Sequence, residues 1–182
     1  MQAGLSFSHF GFYVQDIDRM ERFYTELLGF FVTDRGTLAG PTGEFKLVFL
    51  SRDPDEHHQI VLATGRPEAL AFNLINQISL RADSLGTLKN LYAKLAQAGA
   101  GDIQPITHGN AISVYLRDPE GNRLELFIDT PWYVNQPMRV PIDFNLPDDE
   151  LMQVVEAHAS QLPGFQPRSE WRARMAKLMG ME

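Results

Sequence analysis

The feature that most constrains this chain is a pattern that occurs twice. His9-Phe10-Gly11-Phe12-Tyr13-Val14 has a counterpart 68 residues on in Gln77-Ile78-Ser79-Leu80-Arg81-Ala82, and Ile60-Val61-Leu62 has one 64 residues on in Leu124-Glu125-Leu126. Offsets that close describe two units of similar length, each of which must bury its apolar face against a neighbour. In the first, apolar residues alternate loosely from Leu5 to Val14, then Met20, Phe23, Tyr24, Leu27 and Leu28 fall at helical spacing after Asp16-Ile17-Asp18. Gly29 supplies the residue with φ > 0 that ends a helix, and β-like runs follow at Phe30–Thr33, Phe45–Leu50 and Gln59–Ala63. In the second unit Ser84 is placed to cap a helix bearing Leu85, Leu88, Leu91, Tyr92 and Leu95, ended by Gly99. Strands are predicted again at Ile103–Thr107, Ala111–Leu116 and Arg123–Ile128, with Asp118-Pro119-Glu120-Gly121-Asn122 supplying the turn before the last. Both units read βαβββ.

An α+β domain over residues 1–129 follows, with one module at about 5–64 and a second at about 76–128, the two forming a curved, half-barrel mixed sheet. Residues 130–182 lie outside the repeat. Trp132-Tyr133 and the prolines from Pro137 to Pro147 read as an extended strap closing one side of a cavity. Asp148-Asp149-Glu150 then opens a helix with Leu151, Val154, Val155 and His158 on one face. Ser169 is placed to cap a last helix with Trp171, Met175, Leu178 and Met179 opposite Arg172, Arg174 and Lys177, an apolar face suited to packing on the domain or on a second subunit of a homodimer.

Composition narrows the function classes. At 44% hydrophobic residues and 21% charged, the 182-residue chain can fill a core. A net charge of −7 argues against nucleic acid as the partner, since phosphate binding needs a basic surface. The absence of cysteine excludes disulfides, thiolate metal sites, Cys nucleophiles and iron–sulfur clusters, so any metal must sit on His, carboxylate or amide oxygen. No leader-like N-terminus and no 18-residue apolar stretch occur, and a soluble cytoplasmic protein without membrane contact is expected.

The duplication also selects residues. His9 and Gln77 hold the same slot at the first strand of each unit, and Val61 and Glu125 share the slot on the last strand. Taken singly, each reads as an ordinary edge or solvent-face residue. Together, an imidazole, an amide oxygen and a carboxylate at equivalent slots are a donor set for a divalent first-row metal with open positions for substrate. Val61 cannot ligate.

His9-Phe10-Gly11-Phe12, Phe23-Tyr24, Leu28-Gly29-Phe30 and Asp118-Pro119-Glu120-Gly121-Asn122-Arg123-Leu124-Glu125-Leu126 resemble the vicinal oxygen chelate superfamily over about residues 5–128. Its members include glyoxalase I, fosfomycin and bleomycin resistance proteins, and extradiol ring-cleavage dioxygenases. The resemblance to type I extradiol dioxygenases, which act on catechol or biphenyl-2,3-diol, implies a metal site at His9, Gln77 and Glu125, with Gln77 in place of the family's second histidine. It implies catalytic roles for three residues: His58 as general base or acid, Tyr115, ten residues before Glu125, as a hydrogen-bond donor to substrate oxygen, and His108 in the loop before the Tyr115 strand. The expected cofactor is Fe(II), with Mn(II), Zn(II) or Ni(II) as other divalent ions an amide ligand would accept, and the expected partners are a small aromatic diol and O₂. A glyoxalase-type metal lyase or isomerase, and a non-catalytic small-molecule binder of the bleomycin-resistance type, stay open beside it.

Overall fold

The structure is a computed structural model that describes residues 6–40, 43–70 and 72–181. Its elements fall into two compact units, Ser6–Asn76 with Arg117–Asn122, and Gln77–Leu116 with the chain from Arg123 onward.

The first unit holds strand β1 (Phe10–Val14), helix α1 (Ile17–Arg22), which passes into a π-helical turn over Phe23–Leu27, and strands β2 (Phe31–Gly40), β3 (Gly43–Ser51) and β4 (Ile60–Thr64). They form an open sheet in the order β1-β4-β3-β2, with β1 and β4 parallel and the other neighbours antiparallel. Asp16 caps α1 by accepting from Arg19 N at 2.9 Å, and Thr25 Oγ1 donates back to the Glu21 carbonyl at 2.8 Å inside the widened turn. Val14, Met20, Tyr24, Leu50, Ile60 and Leu62 are fully buried and make the core. Each such aliphatic side chain contributes about 2 kcal/mol by leaving water.

The predicted Phe30–Thr33 run is much longer in the structure. β2 and β3 are 10 and 9 residues and pair as far as Gly40 and Gly43, with a bulge between Val32 and Asp34. Residues 33–39 are exposed on both faces, so the inside–outside alternation that marks a strand in sequence is absent there.

The Asp118–Asn122 turn ties this unit together. Asp118 folds the turn by accepting from Glu120 N, Asn122 N and Asn122 Nδ2 at 2.7 to 3.0 Å. Glu120 Oε1 then accepts from the backbone N–H groups of Gln15 and Asp16 at 2.7 and 2.8 Å, directly ahead of α1. Arg66 answers Glu120 at 3.3 Å and Asn122 Oδ1 at 2.9 Å, and Asn73 adds 2.6 Å to the same oxygen. The turn half of the Asp118–Leu126 motif is thus a structural clamp.

The second unit repeats the plan. β5 (Ile78–Arg81), α2 (Leu85–Gln97), β6 (Gly101–Thr107), β7 (Ala111–Arg117) and β8 (Arg123–Asp129) give the sheet order β5-β8-β7-β6, extended at the β6 edge by β10 (Val140–Pro141). β5 and β8 are parallel, as β1 and β4 are. The registers match position for position: Gly11 pairs with Val61, and Ser79 with Glu125. Ser84 caps α2 through Thr87 N at 3.1 Å, and Leu88 and Leu95 bury its inner face.

The tail belongs to this unit. β9 (Trp132–Tyr133) pairs antiparallel with β11 (Gln166–Pro167), Tyr133 stacks on Trp171 at 5.1 Å, and Asp129 bridges Arg81 at 3.2 Å and Arg168 at 2.6 Å. Helix α3 (Asp148–Ala159) buries Leu151, Val155 and Ala159, whereas Val154 and His158, expected on that face, are exposed. The true stripe steps by four, which turns positions 154 and 158 outward. Helix α4 (Arg168–Leu178) starts after Pro167 with no side-chain cap, so Ser169 is inside the helix rather than its cap, and none of its residues is buried. Among the described residues no helix is long and apolar enough to cross a membrane.

Candidate active site

Strand pleating builds the centre of the second unit. Gln77, directly ahead of β5, and Ser79 within it are two residues apart, as are Ser113 and Tyr115 along β7 and Arg123 and Glu125 along β8, so each pair projects from one face. Glu125 is buried and its carboxylate is saturated. Oε2 accepts from Ser79 Oγ at 2.6 Å and Gln77 Nε2 at 2.9 Å, and Oε1 accepts from Ser113 Oγ and Tyr115 OH, both at 2.9 Å. His108 Nε2 stands 3.7 Å from the same Oε1 and 3.1 Å from Tyr115 OH. Gln77 Oε1 lies 3.3 Å from that hydroxyl.

The Tyr115 hydroxyl therefore has one hydrogen and three acceptors around it. Burial first, then the Glu125 charge and hydrogen bond, push its pKa up to about 12, against the lowering effect of the Arg123 guanidinium. Arg123 lies over the Tyr115 ring at 4.3 Å and Arg139 at 5.6 Å. Tyr115 is thus a phenol that donates a hydrogen bond throughout the neutral range.

His9 and His58 lie in the other unit. His9 directly precedes β1, as Gln77 directly precedes β5, so the equivalence holds although neither residue is within its strand. The strands start one residue later because the first backbone pairs are Phe10 with Ile60 and Ile78 with Leu124. The His9 ring sits 4.1 Å from that of His58, which in turn faces Phe49 at 5.2 Å. His57 Nδ1 and His58 Nδ1 share a hydrogen at 2.9 Å. Desolvation, then the neighbouring His9 and His57, lower the His58 pKa below that of an ordinary histidine. Ser8 Oγ engages His9 Nδ1 at 3.1 Å, and Nε2 has no hydrogen-bond partner among the described residues.

Sequence reading found Glu125, Gln77, Tyr115 and His108, which the fold gathers, but missed Ser79 and Ser113. Each sits two residues along the chain from a chosen position, Ser79 from Gln77 and Ser113 from Tyr115, and that period was the available signal. In the first module the matching pair is Gly11 and Val61, so the carboxylate network is built once.

A family model described as Glyoxalase/Bleomycin resistance protein/Dioxygenase superfamily matches residues 6–126. The chain belongs to that superfamily. Within it, "Biphenyl-2,3-diol 1,2-dioxygenase 2" of Rhodococcus globerulus is 31% identical over 134 residues, covering 71% of this chain and 65% of the relative. "Biphenyl-2,3-diol 1,2-dioxygenase 3" of the same organism is 29% identical over 127 residues, covering 67% and 62%. The chain thus spans less than two thirds of the length of these curated relatives. Among solved structures, a glyoxylase/bleomycin resistance protein/dioxygenase domain from Frankia sp. EAN1pec superposes with a TM-score of 0.55 at 28% identity, over 71% of this chain and 94% of that one. The trypanothione-dependent glyoxalase I of Leishmania major shares the fold, with a TM-score of 0.52 at 21% identity over 87% and 97%.

The donor chemistry of the superfamily chain can be weighed against a metal. Among the described residues no three His, Asp or Glu side chains are gathered on one point. Glu125 and Gln77 nevertheless bring a carboxylate and an amide together, a pair of hard ligands that suits a divalent ion once the amide turns its oxygen inward. Both lone-pair positions on each Glu125 oxygen are occupied, so an ion bound there replaces a bond from Gln77 or Ser79. The residues fit on that condition.

Proposed function

We propose that this protein is a metal-dependent dioxygenase that opens the ring of a catechol-type diol, with Glu125, Gln77 and His9 as metal ligands. The observation that carries this reading is the gathering of Tyr115 and His108 on Glu125, with Tyr115 OH 2.9 Å and His108 Nε2 3.7 Å from the same carboxylate oxygen. The similarity to two biphenyl-2,3-diol dioxygenases supports it at the level of substrate class. A bound divalent ion would supply Lewis acidity and an electron path between diol and O₂.

The chain's own residues handle protons and hydrogen bonds. Tyr115, held as a phenol by burial, donates to substrate oxygen when it turns away from Glu125. His108 accepts or returns hydrogen at Nε2 across 3.1 Å to Tyr115. His58 is assigned the role of base for a diol hydroxyl, since its lowered pKa keeps it neutral at pH 7. Ser79 and Ser113 keep the carboxylate oriented through hydroxyl hydrogen bonds of 2.6 and 2.9 Å.

A second reading has its own support. Gln77 Nε2 donates to Glu125 Oε2 at 2.9 Å, an arrangement that is complete without a metal and suits a binder of small molecules. Oxygen uptake separates the two. Supplied with Fe(II) or Mn(II) under reducing conditions, the protein is expected to consume O₂ and form coloured ring-fission product from at least one catechol of a panel. Unchanged diols and no oxygen uptake across the panel favour the binder.

A further inference from the structure

The turn that carries His108 is held by residues outside the duplicated modules. Thr130 Oγ1 donates to the Gly109 carbonyl at 2.7 Å, Thr130 N to the Asn110 carbonyl at 3.0 Å, and Val134 N to Asn110 Oδ1 at 2.6 Å. Gly109 sits at φ 72°, and a Cβ there would collide with the Val134 side chain, so strap and turn are fitted to each other. Gln136 reaches both ways: its Nε2 donates to the His108 carbonyl at 2.7 Å and its Oε1 accepts from Met138 N at 3.3 Å. The Met138 carbonyl then stands 2.7 Å from His108 Nδ1.

A carbonyl oxygen only accepts, so this contact requires the hydrogen on Nδ1. Nε2 is thereby turned toward the Tyr115 hydroxyl at 3.1 Å. Rotating the ring by half a turn would set a carbon against the carbonyl and forfeit that hydrogen bond. We propose that residues 134–138 are a positioning strap: the Met138 carbonyl fixes the orientation and tautomer of His108, and Gln136 holds the two backbones in place. The proposal rests on the reading of His108 as a proton-handling residue, and it makes the segment beyond the repeat part of the working site. Gln136 and Met138 act only through His108.

Long-range proton–nitrogen correlation spectra of the full-length protein test it, with His108 assigned by its loss in His108→Gln. The wild type should show His108 with hydrogen on Nδ1, and Gln136→Ala should lose that state while keeping its melting temperature within a few degrees. Turnover of a catechol by Gln136→Ala should fall roughly tenfold in kcat with KM changed less than about twofold. Gln161→Ala, just past the end of α3, where the exposed side chain donates to the Ala157 carbonyl, should match wild type in both readouts. Hydrogen on Nε2 alone in wild type overturns the proposal, as does a Gln136→Ala protein whose spectrum or kcat is that of wild type. If wild type turns over no diol, the dioxygenase reading fails and the spectra alone decide the strap: an unchanged His108 in Gln136→Ala overturns it, and a lost Nδ1–H supports it.

Discussion

Tyr115 and Glu125 set the chemistry of the site because each limits the other. The carboxylate needs the hydroxyl as one of four donors, and the same carboxylate makes the phenol harder to ionise. Tyr115→Phe should cost about 1 kcal/mol of stability, the ordinary net worth of a buried hydrogen bond, and lower kcat roughly 10- to 100-fold. The pH dependence has a definite sign. A hydroxyl whose pKa rises from 10 to about 12 on folding contributes stability fully below pH 10 and loses it as pH climbs toward 12. The stability gap between wild type and Tyr115→Phe, measured by denaturant unfolding, should therefore narrow over that window. A gap that widens there would contradict the burial of this hydroxyl. Glu125 and Gln77 were legible in sequence because the repeat singled them out, and Tyr115 because the family resemblance implies a tyrosine ten residues before the carboxylate. Ser79 and Ser113 were not singled out, since the period of two places them on the right face but only the fold shows that a carboxylate lies opposite them.

At the scale of elements, the helices and most strands could be read from periodicity, and the departures have local causes. The β2–β3 ribbon outruns its prediction because both of its faces are exposed from residue 33 to 39. The last helix gives no buried face, since Trp171 spends its ring on Tyr133 rather than on the core. The most family-specific motif divides its work: its turn is a clamp, where Glu120 caps the chain entering α1 and pairs with Arg66, and its last strand carries Glu125. Glu120→Ala removes two charge-assisted bonds to backbone N–H groups and leaves the partly buried Arg66 short of a counter-charge. It should lower unfolding stability by about 2 to 3 kcal/mol, read from the urea midpoint at unchanged slope. Glu150→Ala, at an exposed position in the first turn of α3, should change unfolding stability by no more than about 0.5 kcal/mol.

At the scale of the whole molecule, duplication supplies two copies of one strand-and-helix plan, and divergence decides what each copy carries. Gly11 and Val61 leave the first copy apolar where Ser79 and Glu125 make the second polar, while His9 and His58 remain in the first. The tail joins the second copy through Arg168 on Asp129, Thr130 and the 134–138 segment, and it reaches His108. That reach could not be read from sequence, because the tail has no repeat to align with and the contact is made by a backbone carbonyl. The central claim is that Glu125 belongs to a metal site despite the glutamine beside it. Divalent metal content after anaerobic purification and reconstitution with Fe(II) or Mn(II), compared between wild type and Glu125→Ala, addresses it most directly. Stoichiometric metal in wild type that is lost in Glu125→Ala is the predicted result; wild type that retains no divalent ion under these conditions would contradict it.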